Sequence, residues 1–102
     1  MSYSIEIFLE EIKQKFNALS FDYRAVNFKG EIPAFFVNVP TKDLLKDQWE
    51  AVSQFVAGNF QSGLENEFSV WNVYLFFIIP DMISDELKYI IENDTFSSRK
   101  IV

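Results

Sequence analysis

Phe68-Ser69-Val70-Trp71-Asn72-Val73-Tyr74-Leu75-Phe76-Phe77-Ile78-Ile79 is the stretch that decides the fold. Only Ser69 and Asn72 interrupt its apolar character, and its aromatic and β-branched residues suit a pleated surface. The run therefore reads as the central strand of a sheet. A half-buried strand alternates apolar with polar; this one is apolar on both sides. Phe68, Val70, Tyr74, Phe76 and Ile78 fall on one face, and Trp71, Val73, Leu75, Phe77 and Ile79 on the other. Each face needs cover. A membrane helix is excluded by length, since it takes about 20 apolar residues and this run closes sooner, at Pro80-Asp81.

Upstream, Ile5, Phe8, Leu9, Ile12, Phe16 and Leu19 recur at the spacing of an amphipathic helix, which predicts helix one over about residues 4 to 19 with Ser4 as N-cap. Polar residues interleave with apolar ones from Phe21 to Phe28, and Gly30 supplies the freedom for a turn, so a β-hairpin is expected from Asp22 to Val39. Pro33 is tolerated only at a strand start or edge, where its missing N–H does no harm. Thr41 then caps a second helix whose buried stripe is Leu45, Trp49, Val52, Val56 and Phe60, ending between Ala57 and Ser62. Gly63 to Glu67 is the loop into the central strand. After that strand, Ser84 caps a third helix with Leu87, Ile90 and Ile91 on its buried side. It stops near Asn93, a residue that tolerates a left-handed cap.

The fold expected is α+β: a small, mostly antiparallel sheet of about three strands, a hairpin plus the long central strand, packed with about three helices in the order αββαβα. The direction of the third strand is left open by the pattern. One domain spans residues 1–102. Its final apolar pair, Ile101-Val102, gives the look of a chain cut short or made to dock.

Composition narrows function mainly by exclusion. The chain holds no cysteine and no histidine, which removes disulfides, thiolate nucleophiles, the usual zinc ligands and an imidazole base together. The three glycines, Gly30, Gly58 and Gly63, are too scattered for a phosphate cradle. An enzyme is not expected, nor a cofactor or metal. Nine basic against fifteen acidic residues give a net charge of −6, which opposes non-specific attraction to nucleic acid. No direct nucleic-acid partner and no membrane are expected, and the start shows no secretory signal, so a cytoplasmic location is the default. Aromatics make up 18% of the residues, with 12 Phe, more than one core of this size requires, and the surplus points to an interface with a partner or with further copies of the chain.

Chemistry concentrates in one place, where Glu92-Asn93-Asp94 precedes Arg99-Lys100. Glu92, Asp94 and Lys100 are the types a metal-dependent nuclease uses, but the acid-x-lysine spacing is absent and the acids do not flank a β-turn. Helix capping by Asn93 or Asp94 with solvated cations is the simpler reading of the residues alone. Asn72 is a second anomaly, because a buried amide without partners costs about 1 to 3 kcal/mol. It must be paired, or stand at a bulge or interface.

Trp71-Asn72-Val73-Tyr74-Leu75, followed by Leu87 to Val102 with its Ile-Glu-Asn-Asp-x-Phe-x-x-Arg-Lys pattern, resembles the small middle component of bacterial ABC-ATPase three-component conflict systems of the Lamassu-like, phage-defence kind. The resemblance covers about the C-terminal third. It implies a non-enzymatic adaptor that links an ABC or SMC-like ATPase to an effector. It also implies a contact surface at Asn93, Asp94, Phe96, Arg99 and Lys100, with no catalytic residue. A different class, a small acidic inhibitor or immunity protein that neutralises a basic enzyme, rests on the net charge alone.

Overall fold

In the computed structural model, residues 5–27, 29–60, 72–94 and 98–102 are described. The hairpin and the second helix form where the patterns place them, but the amino-terminal helix ends at Lys15 rather than near residue 19. Helix α1 (Ile5–Lys15) buries Phe8 and Ile12, and a turn carries Phe16 and Leu19 into the same core. Strands β1 (Ser20–Asn27) and β2 (Glu31–Asn38) pair antiparallel, with Phe21 opposite Val37 and Tyr23 opposite Phe35. The tight connection uses positive φ at both Lys29 (61°) and Gly30 (155°), the region in which a glycine costs least. Pro33 lies one residue before Ala34, the first residue of β2 with a β3 partner, so β2 has a neighbour on only one side there.

Helix α2 (Lys42–Asn59) begins as predicted at Thr41, whose Oγ1 accepts from the Leu44 N–H at 3.2 Å. All five residues of its expected stripe, Leu45, Trp49, Val52, Val56 and Phe60, are buried. Strand β3 (Tyr74–Ile78) is shorter than the apolar run predicts, and Asn72 stands in the turn ahead of it rather than inside the strand. Residues 68–71 of that run, Ser4 and the Gly63–Glu67 loop lie outside the described residues. Helix α3 (Asp85–Glu92) starts at Ser84, whose Oγ accepts from the Leu87 N–H at 3.1 Å. It ends at Asn93, but in a right-handed conformation (φ −94°), held by the side-chain Nδ2 donating to the Tyr89 carbonyl at 2.9 Å. The left-handed cap is therefore not used. Ile91 is buried and Leu87 half-buried, whereas Ile90 turns outward.

Strand number and direction are corrected by the structure. Arg99–Ile101 forms a fourth strand, β4, and the sheet is mixed, in spatial order β1-β2-β3-β4. β3 runs parallel to β2, and β4 parallel to β3, so the mostly antiparallel expectation fails for two of the three pairs. The element order is αββαβαβ.

This topology has a consequence for the two faces. Parallel crossovers are almost always right-handed, and strands added successively in one direction then receive both crossover helices on the same side. The core agrees: Phe21, Phe35, Val37, Leu75 and Phe77 share one cluster with Phe8, Ile12, Trp49, Val56 and Ile91 from the three helices. Phe8 sits at its centre, with ring centroids 5.4 Å from Phe35 and 5.3 Å from Phe60. One face of the sheet is thus covered by α1, α2 and α3. No described helix covers the other. No described helix is long and apolar enough to cross a membrane.

Candidate partner-binding surface

The face that no described helix covers follows from strand alternation. With Leu75 and Phe77 turned into the core, Tyr74, Phe76 and Ile78 of β3 must point the other way. The pairing brings Phe36 beside Phe76 and Ala34 beside Tyr74. The Phe36 and Phe76 rings are stacked with centroids 5.0 Å apart and planes within 11°, and Tyr74 continues the series at 5.8 Å and 13° from Phe76. Tyr74, Phe76 and Phe36 are half-buried, Ile78 is 47% exposed, and Ile101 on β4 is 39% exposed. A contiguous apolar strip of this kind is seldom left to water without a use. At the carboxyl ends of β2 and β3 the strip runs into a shallow cleft of about 370 Å³, lined by Asn38, Val39, Ile78, Ile79 and Pro80.

Charge on this face is arranged across the strands. Register places Arg24 beside Ala34, Ala34 beside Tyr74 and Tyr74 beside Arg99, one row running from edge to edge. These are the only two arginines in the chain. Both are exposed. Arg99 lies over the Tyr74 ring with its guanidinium carbon 5.8 Å from the centroid, a cation–π contact.

The five residues expected as a contact surface separate into different environments. Arg99 joins the open face. Asn93 is exposed and caps α3. Asp94 is half-buried. Phe96 lies outside the described residues. Lys100 turns into the domain, opposite Leu75, with its side chain fully enclosed. Its Nζ lies 3.1 Å from Asp94 Oδ1 and donates to the Ser98 carbonyl at 2.8 Å. Burial pulls the Lys100 ammonium below its ordinary pKa, and the hydrogen bond and charge of Asp94 pull it back up. Glu92 is engaged in the same staple, its Oε2 accepting from the Val102 N–H at 2.9 Å. Lys100 and Glu92 therefore tie the short β4 to the end of α3. The acids and lysine considered for a nuclease are held in these contacts, and no cluster of three or more acidic side chains able to hold a metal occurs among the described residues.

A second concavity, of about 380 Å³, opens between the start of α2 and α3, lined by Lys42, Lys46, Met82, Ser84, Glu86 and Ile90 among others. Its rim is fixed by Asp81, whose Oδ2 accepts from the Lys42 N–H at 3.2 Å. Its lining mixes both signs of charge and has no convergent polar set.

Sequence reasoning missed Arg24, Phe36, Tyr74, Phe76 and Ile78 as surface residues. The available signal was the central run's second apolar face, which demanded cover that no described helix provides.

Residues 33–102, more than half of the chain, match the family model described as ABC-three component (ABC-3C) system Middle Component 1. No curated protein and no solved structure matches the chain.

Proposed function

The chain belongs to the Middle Component 1 family of ABC-three component systems, and from that membership we propose that it is a non-enzymatic adaptor joining an ABC or SMC-like ATPase to an effector in bacterial phage defence. The observation that carries this reading is the open sheet face, where Phe36, Tyr74 and Phe76 form a ring ladder that no described helix covers. Burying such a strip against a partner supplies roughly 25 cal/mol for each Å² removed from water. A chain without cysteine or histidine lacks the commonest nucleophiles and bases, which supports a role in binding. Arg99 is the residue of the predicted contact set that stands on this face, and its planar fork suits a partner carboxylate.

Co-expression with the other components encoded in the same operon tests the reading. The chain is expected to co-elute with the ATPase component, and a Phe76→Ser substitution to release it without unfolding the domain. Elution of the wild-type chain alone, in the presence of both other components, would remove the proposal.

A further inference from the structure

We propose that the open sheet face receives one amphipathic α-helix of a partner protein, laid along β2 and β3, with an apolar stripe flanked on both sides by acidic residues. The inference rests on the adaptor reading above and specifies the partner of that surface. Its warrant is the arginine row. Arg24 and Arg99 stand on opposite edge strands in the same cross-sheet line, three strand spacings or about 14 Å apart. A helix with its side chains is about 10 to 12 Å across. It therefore fits between the two arginines, with Ala34 leaving a low point beneath it and the Phe36–Phe76 stack under the next turn. Each guanidinium can take a carboxylate on one flank of the stripe, and neither has a carboxylate partner among the described residues. Strand β2 itself, Glu31–Asn38, gives a floor of eight residues of extended chain, about 26 Å, which accommodates about 18 helical residues.

Other occupants fit less well. Single-stranded nucleic acid needs aromatic faces turned outward for base stacking. Here the Phe36, Phe76 and Tyr74 rings turn their faces to one another, and the net charge of −6 repels phosphate at long range. In a second copy of this chain docked face to face, either in-plane two-fold axis through the row would bring arginine over arginine.

The test places a photo-crosslinking benzoylphenylalanine at Ile78, on the open face, and at Met82 near the start of α3 as control, in the complex assembled with the other components of the system. The cross-link from position 78 is expected to map to a partner helix whose apolar residues recur every three or four positions between Asp or Glu residues. Arg24→Glu and Arg99→Glu should each weaken association roughly tenfold or more, with recovery when the mapped acids are changed to Lys. An intact complex that cross-links only from position 82, or at position 78 to a second copy or to nuclease-sensitive material, overturns this proposal and leaves the adaptor reading standing. Unchanged affinity in both charge reversals overturns it as well. Failure of the wild-type chain to form any complex removes both.

Discussion

The Lys100 ammonium lies 3.1 Å from the Asp94 carboxylate, and this contact joins an edge strand of three residues to the end of α3. An inward-pointing charge on a short edge strand also discourages pairing with other chains. Because the Lys100 side chain is enclosed, removal of its counter-ion leaves a desolvated cation, whereas removal of the lysine itself does not. Asp94→Ala is expected to destabilise the domain by about 2 to 3 kcal/mol, less than the roughly 3 to 5 kcal/mol of breaking a fully buried pair because Asp94 keeps some solvent contact. Lys100→Met should cost less than half of that. Urea denaturation of both variants and of the double mutant measures the coupling, and equal losses for the two single variants would contradict this account.

Alkaline stability should show two opposing trends. Burial, reinforced by the Glu31 charge, raises the Tyr23 hydroxyl above its ordinary 10.0. Above that pH the unfolded chain loses a proton that the folded one keeps, so stability falls as pH rises toward the folded-state value. Lys100 has the opposite sign. Its folded pKa lies below 10.5, so between the two values the unfolded chain holds the extra proton and stability rises with pH. Tyr23→Phe should flatten the fall, and Lys100→Met should remove the rise. Denaturation midpoints taken from neutral pH past 10.5 separate the two, and identical profiles in both variants and wild type would show that neither group is linked to folding.

Gly58 occupies the last turn of α2, and a methyl group added there would meet nothing within 4 Å. Alanine restricts the unfolded chain and favours the helix. Gly58→Ala is expected to add about 0.5 kcal/mol, a rise of about 2 to 4 °C in Tm. A lower Tm would mean that the small residue is needed for a reason outside the helix.

Much of the fold was legible because the apolar stripes of α1 and α2 are clear, although α1 stops at Lys15 and Phe16 and Leu19 reach the core from the turn after it, and every predicted α2 position is buried. β4 was not legible, since three residues including Arg99 and Lys100 resemble a solvated tail, and strand character there comes from pairing with β3. The parallel directions were equally hidden, because alternation along a strand carries no sense of direction. Period-two reading of Tyr74, Phe76 and Ile78 identified a second apolar face correctly, but only the successive strand order reveals that the described helices all lie opposite it. The row from Arg24 to Arg99 is a product of register across three strand pairs. No local spacing could announce it.

Arg99 offers the sharpest separation of fold from function. Within the domain its visible role is the contact with Tyr74 at 5.8 Å, and an exposed cation–π pair contributes only about 0.5 to 1 kcal/mol. A charge-assisted hydrogen bond to a partner carboxylate, desolvated in an interface, contributes about 1.5 to 3 kcal/mol. Arg99→Ala should therefore lower the affinity for the partner at least tenfold while lowering Tm by about 2 to 8 °C. Arg99→Lys should recover little, because a single ammonium cannot reproduce a bidentate fork or lie flat on the Tyr74 ring. Isothermal titration paired with a thermal melt reads both quantities. If Arg99→Ala binds as tightly as wild type while its Tm drops sharply, Arg99 acts as a staple between β3 and β4, and the contact surface must be sought elsewhere on the molecule.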